Sequence, residues 1–197
     1  VRIPAADDIP HVVRKRPSSP PGDEPFFAFR PDGDLVPPMP HAGEGYRSHF
    51  TGLTHDERGY PSLTAETHQK LATRLVDKIR VNAQDILLYE EWNLDDAEVV
   101  VIAFGCTARS AHRAVAMARS QGIRAGLLRL ITVWPFPIDR IRRLVAKGRV
   151  QRFVVPEINL GQVRREVERV VPLPVKGVNH PGGAMIVPQT ILEAITG

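Results

Sequence analysis

The stretch that most constrains this chain is EVVVIAFGCTARSAHRAVAMARSQGIRAGLLRL, residues 98–130. Val99 to Phe104 is an almost unbroken apolar run, which suits a strand buried on both faces of a parallel sheet. Gly105 breaks the run, and Thr107 is placed to cap the following helix by accepting a bond from a free backbone N–H. On that helix Ala111, Ala114, Val115 and Ala118 form one small apolar stripe, and Gly122 supplies the left-handed turn that ends it. Residues 123–130 read as a second strand, giving a strand–helix–strand unit whose crossover is right-handed. The turn Gly105-Cys106-Thr107-Ala108 lacks the glycine spacing that lets a pyrophosphate approach the backbone. The architecture is that of an open α/β sheet, and the dinucleotide signature is missing from it.

The same alternation continues to the last residue. Pro135 and Pro137 stiffen the turn ITVWPFP, and a helix with Ile138, Ile141, Leu144 and Val145 inward follows, stopped by Gly148. Residues 150–155 read as a third strand closed by Pro156. Asn159 with Gln162 three residues on has the form of a capping box. Val163, Val167 and Val170 then repeat at helical spacing. Residues 174–178 form a short fourth strand, and Pro188 opens a last helix carrying Ile191, Leu192 and Ile195. Strands near 99–104, 124–130, 150–155 and 174–178 are expected in one mostly parallel sheet with flanking helices.

The first part of the chain is different. Ten of the eighteen prolines lie in the first forty residues, where fixed φ angles disfavour helix and favour an extended arm. Phe26, Phe27 and Phe29 argue that the arm is strapped onto a surface, because three exposed phenylalanines together would be an adhesive patch. Residues 41–62, HAGEGYRSHFTGLTHDERGYPS, show no sustained period, as expected of a functional or interface loop. A helix capped by Thr64 follows, with Leu71, Leu75 and Ile79 on one face and Gln69, Lys70, Arg74 and Asp77 on a solvated one. Tyr89 and Trp92 serve as packing anchors on the way into the sheet. The expected organisation is an arm and loop over 1–62, a helix and linker over 63–97, and an α/β domain over 98–197.

Composition narrows the function. Hydrophobic residues make up 43% and charged residues 24%, an ordinary globular balance. No apolar run is long enough for a membrane span, and no signal peptide opens the chain. Its first residue, Val1, suggests a processed piece or the C-terminal portion of something longer. A net charge of +4, with dispersed cations such as Arg140, Arg143 and Lys147, argues against a nucleic-acid face. The single cysteine, Cys106, forms no internal disulfide, which fits a reducing, cytoplasmic setting. One thiolate also falls short of the usual four ligands of an iron–sulfur cluster.

Few side chains form a reactive constellation. Cys106 opens a helix, where the dipole favours a thiolate, but His112 lies on a different face and no other base is near. His49, His55, Asp56 and Glu57 match none of the zinc or calcium spacings, so no metal site is expected. Glu157 ends a strand at the edge where open α/β sheets hold ligands; without a visible partner it reads as an orienting or interface residue. His180, in a glycine-rich loop, is ambiguous. The residues describe a domain without a self-contained active site.

Four stretches together resemble the 2-oxoacid:ferredoxin oxidoreductase family, in particular the C-terminal part of a 2-oxoglutarate-type α subunit. They are the TGLTHDERG segment from Thr51 to Gly59, the strand–Gly–helix entry at Gly105, the LLRLITVWPFP turn, and the EINLGQ element from Glu157 to Gln162. The resemblance implies a transketolase C-terminal-like fold and an oxidative decarboxylase that uses thiamine pyrophosphate with magnesium, coenzyme A and iron–sulfur clusters, passing electrons to ferredoxin. It also implies that the catalytic pyrimidine-type domain lies upstream of Val1 and that the diphosphate site sits on a β subunit. No catalytic, cofactor or metal residue of the family maps onto this chain. Tyr46, His49, Gly52, His55, Asp56, Glu57, Gly59, Gly105, Thr107, Glu157, Asn159 and Gln162 are expected as interface or structural-loop residues. Cys106 stands where relatives usually carry Ser. The alternatives are a stand-alone interaction module of the same fold, or a subunit of a thiamine enzyme acting on pyruvate or branched-chain 2-oxoacids.

Overall fold

A computed structural model describes residues 3–197. The chain divides into two compact units, Val1–Asn82 and Ala83–Gly197.

Among the described residues of the first unit, regular structure before residue 64 is limited to a 3-10 turn at Ala6–Asp8 and an isolated bridge between His55 and Pro61. The arm folds back along the loop. Phe26 N donates to Arg47 O (2.7 Å), Phe29 N to Glu57 O (3.0 Å) and Met39 N to Lys15 O (2.8 Å). The three phenylalanines are each half-buried. Phe26 meets Tyr46 edge-on at 5.1 Å, Phe29 meets Phe50 at 5.7 Å, and the Arg30 guanidinium lies 3.7 Å above the Phe27 ring. The helix α1 (Ala65–Val81) begins as expected, with Thr64 Oγ1 accepting from Thr67 N at 3.2 Å. Its apolar face differs from the expected one. No residue of α1 is buried, and Leu75 is 43% exposed.

The second unit opens with the short helix α2 (Ala83–Ile86) and the strand β1 (Tyr89–Trp92), then β2 (Val99–Phe104), α3 (Thr107–Ser120), β3 (Ala125–Leu130), α4 (Ile138–Ala146), β4 (Arg152–Glu157), α5 (Gln162–Val170), β5 (Val175–Asn179) and α6 (Pro188–Thr196). The five strands lie in the order β1-β3-β2-β4-β5, all parallel except β1. Val99–Phe104 is central, as its apolar run demands. Val99, Val101 and Ala103 face the alanine stripe of α3 and Ile191 and Ile195 of α6; Val100 and Ile102 face Ile141 and Leu144 of α4 and Val163 and Val167 of α5. The alanines of α3 let that helix lie close to the sheet, and burial on both faces accounts for the missing alternation in β2.

Two features correct the sequence reading. In sequence β1 reads only as packing anchors, because its YEEW pattern carries two charges. Those charges suit an edge strand, and Glu90 pairs with its cross-strand neighbour Arg129 at 2.8 Å. Pro156 lies inside β4 instead of closing it. Pairing of β4 with β2 stops at Val154, so the missing N–H of Pro156 falls beyond that ladder, while β5 continues alongside to Glu157.

Candidate functional site

The C-terminal edge of the parallel strands, where such sheets hold ligands, gathers Gly105, Thr107, Glu157, Asn159 and Gln162. Gly105 takes φ +56 and turns the chain out of β2. Thr107 does not cap α3. It is the first helical residue and is buried, Cys106 holds the capping position, and no side chain bonds there. Cys106 is exposed and free. His112 points elsewhere, edge-on to Trp92 at 5.2 Å, so the two share no chemistry.

Glu157 is fully buried, and its carboxylate is bound at both oxygens. Oε2 accepts from Val163 N and Oε1 from Arg164 N, each at 2.9 Å. These are free N–H groups in the first turn of α5, and the positive end of the helix dipole adds to their attraction. Asn159 performs the adjoining task, its Oδ1 accepting from Gly161 N (2.8 Å) and Gln162 N (3.3 Å). Gly161 occupies the N-cap position at φ +93. The helix is thus capped by an acid six residues upstream, and no bond from the Gln162 side chain completes a capping box. Gly177 belongs to the same construction, because a Cβ there would lie 2.6 Å from Asn179 Oδ1 and 2.8 Å from Arg164 Cδ.

The loop residues of the first unit form a second constellation. The Tyr46 hydroxyl donates to Ser19 O at 2.5 Å. His49 Nδ1 donates to Gly59 O at 2.8 Å while its ring stacks on Tyr60 at 4.6 Å. His55 Nδ1 donates to Leu53 O at 2.8 Å, its ring rests 4.0 Å from that of Phe29, and Nε2 is buried without a partner. Asp56 closes the turn by accepting from Arg58 N (2.9 Å) and Tyr60 N (3.1 Å), and pairs with the Arg58 side chain. Burial raises the Asp56 pKa, but the Arg58 guanidinium and the two N–H groups outweigh it and hold the carboxyl below its usual value. Glu57 joins Lys70 (2.6 Å) to Arg30 (3.0 Å), and those two cations, Lys70 foremost, lower its pKa. Gly59 is buried at φ +93, with His49 O 2.0 Å from where a Cβ would stand. Gly52 is exposed with open space around it.

This loop, the arm and α1 enclose a groove of ≈ 800 Å³. Lys70, Arg74, Asp77 and Gln69, read from the sequence as a solvated face, line it beside Phe27, Phe29, Leu35 and Leu71. Arg74 is the residue the sequence pattern hid. It is half-buried, burial lowers its pKa, and its one hydrogen bond is a long one to Leu35 O at 3.4 Å. A helical polar face looks the same in sequence whether it meets water or an arm of the same unit.

Among the described residues no group of three or more His, Cys, Asp and Glu side chains converges to hold a metal. The sequence's one cysteine cannot supply the thiolates of an iron–sulfur cluster, and the turn at Gly105 offers no diphosphate cradle.

The fold is similar to that of part of a 2-oxoacid:ferredoxin oxidoreductase. Residues 97–191 match the pyruvate:ferredoxin oxidoreductase core domain II. The chain is 45% identical over 193 residues to the 2-oxoglutarate synthase subunit KorA of Methanocaldococcus jannaschii, covering 97% of this chain and 50% of that protein. It is 44% identical over 199 residues to the same subunit of Methanothermobacter marburgensis, covering 100% of this chain and 52% of that protein. The chain therefore spans about half the length of these relatives. Its fold matches part of the 2-oxoglutarate:ferredoxin oxidoreductase of Magnetococcus marinus, with a TM-score of 0.81 and 21% identity, over 98% of this chain and 33% of that one. That structure holds 2-oxoglutarate, coenzyme A and succinyl-CoA.

Proposed function

We propose that this chain is the framework half of a 2-oxoacid:ferredoxin oxidoreductase subunit, acting in an assembly that converts 2-oxoglutarate and coenzyme A to succinyl-CoA and carbon dioxide. Two electrons leave per turnover and reduce ferredoxin. The observation that carries the reading is the 45% identity to a 2-oxoglutarate synthase subunit across 97% of the chain. The chemistry belongs elsewhere in the assembly. Thiamine pyrophosphate with magnesium and the iron–sulfur cluster would be held by an upstream pyrimidine-type domain and a thiamine-binding β subunit, in the cytoplasm.

This chain would contribute shape. Residues 98–197 with the edge strand β1 serve as the α/β framework, the rest of 63–97 as helix and linker, and 1–62 as a fitted arm and loop. Tyr46, His49, Gly52, His55, Asp56, Glu57 and Gly59 keep the loop in form for its neighbours. Gly105, Thr107, Glu157, Asn159 and Gln162 do the same at the sheet edge. That Glu157 and Asp56 already bond backbone N–H groups supports structural work for both.

The test is reconstitution. The chain joined to the missing half and mixed with the β subunit should reduce a viologen dye with 2-oxoglutarate, dependent on coenzyme A. The 197-residue chain alone should show no heat of binding with thiamine pyrophosphate. Turnover of no 2-oxoacid by the full assembly, or tight binding of the cofactor by the chain alone, overturns the proposal.

A further inference from the structure

A cleft of ≈ 350 Å³ opens in the second unit between α3 and the sheet edge formed by β1 and β3. Arg109 and His112 of α3, Arg129 of β3 and Trp92 of β1 line it with Ala108, and no acidic residue does. The charge follows from the sequence of α3, which carries three arginines, one histidine and no acid. The neighbouring acids are already engaged. Each of the five between residues 90 and 98 holds a cation other than Arg109. Among the described residues Arg109 has no ion pair or hydrogen bond, and His112 meets the Trp92 ring edge-on with both ring nitrogens unbonded. Arg129 gives Nη1 to Glu90 at 2.8 Å, while its Nε is buried without a partner and its Nη2 makes no bond. An arginine donates and never accepts, so the cleft presents donors that no protein oxygen answers. That is the complement of an oxyanion.

We propose that this cleft binds a small phosphomonoester, with the phosphate oxygens held between the guanidinium groups of Arg109 and Arg129. The two forks come from a helix and a strand. Such a pair suits a tetrahedral group with three free oxygens better than a planar carboxylate, which one fork already fills. Volume limits the rest of the molecule. Ligand pockets run from about 300 Å³ upward, so ≈ 350 Å³ suits a compact ester, its carbon atoms against Trp92 and Ala108. Glu90 offsets part of the Arg129 charge, and affinity therefore turns on Arg109.

The inference goes beyond the enzyme reading and does not rest on it. Trp92 and Trp134 are the two tryptophans of the sequence, so in the 197-residue chain with Trp134→Phe the emission comes from Trp92 alone. That chain is titrated at constant ionic strength with inorganic phosphate, glycerol 2-phosphate and succinate. Both phosphates should change the emission saturably with a Kd of about 1 mM or below, and calorimetry should return the same constant. Succinate should bind at least ten-fold more weakly. Arg109→Glu should weaken glycerol 2-phosphate at least ten-fold, and Arg109→Lys should weaken it less, because the charge stays and the fork goes. Arg109 is exposed, so both variants should melt as the parent does. Arg113→Glu makes the same change of charge on the same helix, outside the cleft lining, and should matter less than about three-fold. No saturation by roughly 10 mM phosphate, succinate bound as tightly as the ester, or Arg113→Glu as damaging as Arg109→Glu each overturns the inference.

Discussion

Glu157→Gln should destabilise the second unit while leaving its shape intact. The carboxylate accepts two backbone N–H bonds at 2.9 Å inside a fully buried site. The amide keeps one acceptor and turns an NH₂ group toward the other N–H, so one charge-assisted bond is lost and one donor is left facing a donor. A hydrogen bond to a charged group contributes about 1.5–3 kcal/mol, and the anion at the helix N-terminus adds about 0.3–1 kcal/mol. The expected loss is about 2–3 kcal/mol. Glu157→Ala strands both N–H groups and opens a cavity, and should cost about 4 kcal/mol. Against a domain stability of about 5–15 kcal/mol, these are large effects. Urea unfolding followed by circular dichroism reads them: with a slope of about 2 kcal/mol/M, the Gln midpoint should fall by about 1–1.5 M. A Gln variant within about 0.5 kcal/mol of the parent, the range of a neutral surface change, would refute the cap. So would a variant of unchanged stability that abolished turnover in the complete assembly, because the carboxylate would then be working on substrate.

Three further outcomes are expected. Gly59→Ala, which sets a Cβ 2.0 Å from His49 O at φ +93, should loosen the 41–62 loop, and limited proteolysis should cut there faster than in the parent. Lys70 and Arg30 lower the Glu57 pKa from its ordinary 4.5, so its stabilisation is complete above that value and is lost as pH falls through the lowered folded pKa. Thermal melts of Glu57→Gln should therefore lie below the parent at pH 7 and converge with it as the pH falls below the ordinary carboxylate range, and a pH-independent gap would contradict the assignment. The exposed Cys106 thiol should react stoichiometrically with a disulfide reagent in the native state, and Cys106→Ser should change stability by less than about 0.5 kcal/mol.

What was legible in the sequence was what depends on period and punctuation. The apolar run 99–104, the alanine stripe of α3, and the stops at Gly122 and Gly148 all act locally, so the parallel sheet is legible in the sequence. The rest depends on partners far along the chain. β1 carries two glutamates because it is an edge, which no four-residue window shows. Pro156 is tolerated because a neighbouring ladder happens to end two residues earlier. Glu157 was placed correctly at the strand end, but its partners, Val163 N and Arg164 N, are backbone atoms that sequence does not display. Thr107 has the look of a cap because it stands just past the break at Gly105, yet the helix starts at Thr107 itself. Arg74 reads as solvated for the reason any helical arginine does, and only the arm folding back makes it half-buried.

The buried cap at Glu157 has a consequence for how this fold diverges. In an open α/β sheet the strand's C-terminal end is where a new reaction would ordinarily arise, because an acid there can lean out toward a ligand. Here that acid is committed downward, and releasing it would unpin α5 before any gain in chemistry could be selected. A lineage that inherits this arrangement is free to vary the exposed positions around it, such as Cys106 and Leu160, and is held in place at Glu157. New activity on this scaffold would have to begin from residues that the helix does not need.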